Sequence, residues 1–134
     1  MRLEITRRSD LASRAILALD GREGPTKASV LAEEIGTTAG FLSQAMTPLA
    51  AKGWVRSEPG PTGGYQLVAD PAEISVLDVI EAIEGPTDTG RCVVADRPCG
   101  AGRCAMHDPW STARRHLLDE LGSTSLVAAQ VGAP

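Results

Sequence analysis

Three cysteines and a histidine fall within sixteen positions in the stretch GRCVVADRPCGAGRCAMHDPW, residues 90–110. Six residues separate Cys92 from Cys99, four separate Cys99 from Cys104, and two lie between Cys104 and His107. These are all three cysteines of the 134-residue chain and one of its two histidines. Thiolate and imidazole are soft or borderline donors, and four of them on one short segment can close around a single metal centre. Gly90, Pro98, Gly100 and Gly102 lie among the donors, so the backbone reads as a loop able to fold back on itself. Two chemistries use such a set. An iron–sulfur cluster takes thiolates, and histidine in place of one of them raises its potential. Zinc takes three thiolates and an imidazole as a closed tetrahedral site. Spacing does not separate the two.

Whatever the centre is, the rest of the chain has to carry it. At 134 residues the protein reads as one domain that can bury a core without disulfides. No apolar run approaches the length that spans a bilayer, and MRLEITRRSD has no apolar stretch behind its arginines, so it is not a secretory signal. A cytoplasmic protein is expected, where an odd set of reduced thiols points to metal or redox chemistry rather than a disulfide framework. An enzyme is not expected: a CxxC pair, a nucleotide-binding glycine loop and an acid–base constellation are all missing from the sequence. The net charge of −4 is uneven. Residues 1–68 carry eight Lys/Arg and seven Asp/Glu, whereas residues 69–134 carry five and ten. Only the first half is suited, weakly, to lie near phosphates.

In that half, helical spacing of Leu11, Ala15, Ile16, Ala18 and Leu19 predicts a helix capped by Ser9 and ended by Gly21, Gly24 and Pro25. Thr26 is the expected cap of a second helix with Ala28, Leu31, Ala32 and Ile35 inward, stopped by Gly36. A third helix starts at Thr37 or Thr38 and runs to about Lys52 on a stripe of Leu42, Ala45, Met46 and Leu49. Pro48, inside it, is expected to kink or shorten it. Two short helices joined by a glycine turn form a helix-turn-helix, with the third helix as reader. Strand-like residues 54–57 and 65–68 flank EPGPTGG, so a hairpin follows the reader directly. That is a wing. A fourth helix spans about Ser75–Glu84, with Val76, Val79, Ile80 and Ile83 inward and Asp78, Glu81 and Glu84 outward. After the cysteine loop, a longer helix opens near Asp108–Pro109 with Trp110, Ala113, Leu117, Leu118 and Leu121 as its stripe. A stripe so late in a small protein suits a second subunit or its own core. A short helix around Leu126 is expected last.

The order of these parts resembles the winged-helix iron–sulfur regulators of bacteria, the family of the iron–sulfur cluster assembly regulator and the nitric-oxide-sensing repressor. The MRL start, GTTAGFLSQAMTPLAAKGWV, the wing GPTGGYQL, ISVLDVIEAIEG and the ending CAMHDPW carry the likeness, which covers nearly the whole chain. It implies a mainly α fold with a small β wing: a winged helix-turn-helix (residues 1–86), a cluster-binding loop (87–107), and a dimerisation helix with its tail (108–134). It implies a homodimer on a palindromic double-stranded operator, with two readers about 34 Å apart in successive major grooves. Neither a membrane nor a small-molecule substrate is expected as a partner. The implied activity is transcriptional regulation, as a repressor, governed by a cluster that senses redox state, nitric oxide or iron and cluster supply.

By the same resemblance Cys92, Cys99 and Cys104 hold the cluster. His107 matches the fourth ligand of the cluster assembly regulator, which favours 2Fe–2S over 4Fe–4S. Asp10 matches, after a short insertion near Ile5–Arg8, a carboxylate that the nitric-oxide-sensing branch offers to its partner's cluster. Asp10 is therefore the alternative fourth ligand. The expected DNA contacts are Thr38, Ser43, Gln44 and Thr47 for bases, Arg2, Arg7, Arg8, Lys27, Lys52 and Arg56 for phosphates, and Thr62 and Gly63 at the wing tip. So few cations imply a shallow salt dependence. A zinc-stabilised or cluster-free winged-helix regulator, or a module that binds protein, is the alternative reading.

Overall fold

The computed structural model describes residues 2–131. Met1 of the MRL start, and positions 132–134 at the end of the 108–134 segment, lie outside the described residues. Helices α1 (Arg7–Leu19), α2 (Ala28–Ile35) and α3 (Ala39–Ala51) lead into the hairpin of β1 (Val55–Glu58) and β2 (Gly64–Leu67). A 3₁₀ turn at Pro71–Glu73 precedes α4 (Val76–Glu84), and α5 (His107–Ser123) and α6 (Leu126–Val131) complete the chain. This is the mainly α architecture with a β wing that the sequence implied.

The helices close on each other because their stripes meet. Leu11, Ala15 and Ile16 of α1, Leu31 of α2, Leu42, Ala45 and Leu49 of α3 and Val79 of α4 all have 0% exposure. That packing leaves one face of α3 in solvent, with Thr38, Ala39, Gly40, Ser43, Gln44 and Thr47 exposed. Pro48 does not shorten the helix, which continues to Ala51. The proline removes an amide donor to the Gln44 carbonyl. Burial of Met46 and Leu49 on either side of it holds the turn regardless.

Two caps differ from expectation. Helix α1 is capped by Thr6, whose hydroxyl accepts the Ser9 amide, while Ser9 lies inside the helix and fully buried. Its hydroxyl finds a better acceptor than the backbone, the Glu84 carboxylate at the end of α4. Thr26 does not cap α2 either. It pairs with Tyr65, each amide donating to the other's carbonyl at 2.8 Å, and Lys27 takes the cap position without a side-chain bond. The wing is thereby tied to the entry of α2. Val55 pairs with Leu67 and Glu58 with Gly64 in an antiparallel register.

Helix α4 starts as expected, on a Ser75–Asp78 capping box. Helix α5 opens at His107, a residue earlier than Asp108, and none of its seventeen residues is buried. After it, the chain returns to the core. Leu126 is 2% exposed, its amide donates to the Ile74 carbonyl at 2.9 Å, and the Val76 amide donates to Thr124 at 2.9 Å. No described helix is long and apolar enough to cross a membrane.

Candidate metal centre and nucleic-acid face

Gly85, at φ 87°, turns the chain out of α4 and into the cysteine loop. The loop folds back where the Cys92 amide donates to the Arg97 carbonyl at 2.8 Å, supported by an Arg91–Asp96 ion pair. The result brings three sulfurs together. Cys92 Sγ lies 3.6 Å from Cys104 Sγ, Cys99 Sγ lies 3.9 Å from it, and all three fall within 4.8 Å of one another. Each is half-buried and unoxidised. Beside them is a cavity of about 150 Å³ whose wall includes His107, Trp110 and Arg114. Among the described residues the converging donors are the three sulfurs; His107 stands on the cavity wall, its amide bonded to the Cys104 carbonyl at 3.1 Å. Asp10 is in the first turn of α1, paired with Arg14 at 3.2 Å.

The backbone also sets the charge of the site. The amides of Val94 and then Ala95 point at Cys92 Sγ, the first at 3.4 Å, and hold its thiol down at about 7. Cys99 moves the other way: the Cys104 amide favours its thiolate, but bonding to Cys92, burial and the neighbouring Cys104 outweigh it and raise the thiol. Because the Cys92 thiol is lowered on folding, its contribution to stability is present above the ordinary thiol range near 8.5 and fades as pH falls through about 7. In metal-free protein, iodoacetamide should therefore label Cys92 before Cys99, with a rate midpoint near pH 7. At pH 7 a thiol at 7 holds roughly 15-fold more thiolate than one at 8.5, and its weaker nucleophilicity trims the gain to about threefold over the urea-unfolded chain. Peptide mapping by mass spectrometry reads this, and equal rates for Cys92 and Cys99 would refute the amide-stabilised thiolate.

Three contacts that the sequence did not announce fix the surroundings of the site, two tying the loop to helices and one tying α4 to α1. Glu81 Oε2 accepts the Thr87 amide at 2.6 Å, holding the first residues after α4. Arg114 on α5 reaches Asp88 at 3.4 Å, 26 positions away in the chain. Glu84, expected outward, accepts from the Ser9 hydroxyl and, at 3.4 Å, from the Thr6 amide. No local pattern marks such pairs, because each partner is read as an ordinary solvated charge until the fold brings them together.

Some of the expected DNA contacts line two separate grooves. Arg7, Arg8 and Gln44 share a crevice with Phe41, Ile83 and Glu84, between the start of α1 and the reader. Lys27 and the wing residues Pro61 and Gly63 line a second groove with Ala39 at the start of α3. Lys52, Arg56 and Thr62 are exposed as well, whereas Arg2, also exposed, lines a different groove with Leu3, Leu117 and Leu121. Gly63 is buried instead, because a Cβ there would sit 2.0 Å from the Glu58 carbonyl oxygen. It shapes the wing tip from within. Arg56 is already engaged, by Glu58 at 3.2 Å and by the Gln66 side-chain oxygen at 3.1 Å.

Comparison with known proteins bears on the family and the fold. The family model Rrf2, described as an iron-dependent transcriptional regulator, matches residues 5–129. The HTH-type transcriptional regulator IscR of Xenorhabdus nematophila is 33% identical over 126 residues, covering 94% of this chain and 77% of that protein. Among solved structures, CymR, the global cysteine regulator of B. subtilis, superposes with a TM-score of 0.77 at 25% identity, covering 99% of this chain and all of that one. The IscR of T. potens superposes at 0.75 with 24% identity, over 98% of this chain and 89% of its own, a likeness of fold.

Proposed function

The chain belongs to the Rrf2 family of transcriptional regulators, and from that premise we propose that its operator binding is governed by an iron–sulfur cluster held on Cys92, Cys99 and Cys104. The observation that carries this reading is the convergence of three sulfurs within 4.8 Å on a loop between α4 and α5. Thiolates are the donors such a cluster takes. The site fits in other respects: the sulfurs are half-buried, Cys92 ionises near neutrality, and an adjoining cavity gives room. His107, on the cavity wall and next to Cys104, is the proposed fourth ligand of a 2Fe–2S centre; Asp10 of a partner subunit is the alternative. When bound, the cluster supplies a centre that electrons, nitric oxide or iron shortage alter. The protein's own part is mechanical. Thr87 on Glu81 and Asp88 on Arg114 tie the loop to α4 and α5, and Glu84 ties the end of α4 to the start of α1.

The proposed division of labour is a winged helix-turn-helix in residues 1–86, a sensing loop in 87–107 and a dimerisation helix with its tail in 108–134. Dimerisation through α5 is supported by its lack of buried residues and by an apolar groove where Leu117 and Leu121 meet Leu3, Ile5, Val76 and Ile80. In such a dimer Arg2, Arg7, Arg8, Lys27, Lys52 and Arg56 are the proposed phosphate contacts. Thr38, Ser43, Gln44 and Thr47 face the bases, and Thr62 is carried on the Gly63-shaped wing tip.

A second reading has a specific observation in its favour. Four ligands at about 2.3 Å around a zinc ion put their sulfurs about 3.8 Å apart, and the spacings here are 3.6 and 3.9 Å. Protein purified without oxygen decides between them. A brown sample, absorbing in the visible, that loses or gains operator affinity when the cluster is removed is expected. Colourless protein with one zinc per chain overturns the cluster. His107→Ala should change the spectrum and Asp10→Ala should leave it alone; the reverse makes Asp10 the ligand.

A further inference from the structure

We propose that the reader takes an A·T half-site: Gln44 holds an adenine, thymine methyls pack on Thr38, Ala39 and Thr47, and guanine is not read beneath α3. The inference rests on the reading of the chain as an operator-binding regulator and adds the chemistry of the bases it selects.

The argument starts from what the exposed face of α3 contains. Thr38, Ala39, Gly40, Ser43, Gln44 and Thr47 are its exposed residues before the C-terminal turn, and none is cationic. Guanine is read in the major groove chiefly by arginine or lysine spanning O6 and N7. On α3 the nearest cation is Lys52, at the C-cap, eight residues and so about 12 Å along the axis from Gln44. The wing's Arg56 is held by Glu58 and Gln66.

The polar groups that remain differ in their freedom. The Thr38 hydroxyl accepts the Phe41 amide at 3.2 Å, and the Thr47 hydroxyl donates to the Ser43 carbonyl at 2.9 Å. Each hydroxyl is thereby oriented toward the helix, Thr38 keeping a proton and Thr47 its lone pairs, and both residues, like Ala39, present methyls to the outside. Methyl surfaces select thymine. Among the described residues the Gln44 amide has no hydrogen-bond partner within the chain, and a free glutamine amide pairs adenine N6 and N7 at once. Ser43 accepts either base and discriminates little. Arg7 and Arg8 border the same crevice as Gln44, where they suit the phosphates flanking that adenine. Glu84, also in the crevice, is taken by Ser9 and Thr6.

Selection of duplexes from a randomised pool by the full-length protein, cluster-loaded and cluster-free, tests the idea. Half-sites should be enriched in A·T pairs, with one adenine whose change to guanine weakens binding ~5- to ~150-fold, the span of one good bidentate pair. Gln44→Ala should abolish the preference at that pair only. Gln44→Arg should move it to guanine. Because Gln44 is exposed, both variants are expected to melt with the parent. Guanine selected beneath the reader, or a preference untouched in Gln44→Ala, overturns the inference and leaves the regulator reading intact. Protein that binds no duplex at low salt overturns both.

Discussion

Serine in place of Cys104 should give a folded protein that purifies colourless and binds its operator alike with or without added iron and sulfide. Cys104 Sγ is the sulfur shared by the two short separations, 3.6 Å to Cys92 and 3.9 Å to Cys99. Removing it eliminates both of these separations, whereas removing either outer cysteine leaves one of them. A seryl hydroxyl remains protonated at neutral pH and is a hard donor, poorly matched to iron in a sulfide-rich centre. The fold should tolerate the change. The loop lies outside the buried cluster of Leu11, Ile16, Leu31, Leu42 and Leu49, and a substitution at a half-buried loop position shifts stability by roughly 0.5 kcal/mol or less. Absorbance with iron and sulfide analysis gives the first arm, and thermal melting the second. A Cys104→Ser protein that keeps the full colour and iron of the parent removes Cys104 from the ligand set. One that loses its fold along with its colour shows that the loop supports the core, which its burial gives no sign of.

The helices and wing were legible because their signals are local. Leu42, Ala45, Met46 and Leu49 recur with helical spacing, and the stripe is the buried face of α3. The turn chemistry of EPGPTGG between two strand-like runs identified the wing for the same reason. Caps were less legible, since Thr6 and Ser9 both precede the apolar stripe and either hydroxyl can cap. The choice depends on Glu84, 75 positions beyond Ser9, which draws the Ser9 side chain inward. Thr26 is a similar case, because its amide and carbonyl are claimed by Tyr65 across the wing. The three cysteines could be read together from their spacing, and their sulfurs do converge. Loop anchors such as Asp88–Arg114 could not, because a charge says nothing of its partner until the chain has folded.

The wing's attachment to α2 supplies the second large effect, at Gly64. Two separate constraints meet there. Its φ of +147° is a conformation that side chains rarely adopt, and a Cβ would lie 2.1 Å from the Thr26 carbonyl oxygen and 2.4 Å from its carbon. Gly64→Ala must therefore push β2 away from Thr26, straining or breaking both 2.8 Å bonds between Thr26 and Tyr65. Each bond contributes on the order of 1 kcal/mol, and the backbone strain about 1–3 kcal/mol. A loss of roughly 3–5 kcal/mol is expected, large against the ~5–15 kcal/mol that holds a domain of this kind together. Gly60 provides the control, since its φ of +95° carries strain but nothing lies within 4 Å of its Cβ. Gly60→Ala should cost only the strain, about 1–3 kcal/mol. Urea denaturation of the two variants measures the difference. Operator affinity should fall further in Gly64→Ala, because a wing detached from α2 no longer holds Lys27 and Pro61 on one groove. The spectrum of the bound centre should not change, since the sulfurs are carried beyond α4. Should Gly64→Ala cost no more than Gly60→Ala, the close approach of Thr26 is not what requires glycine there, and positive φ alone accounts for both.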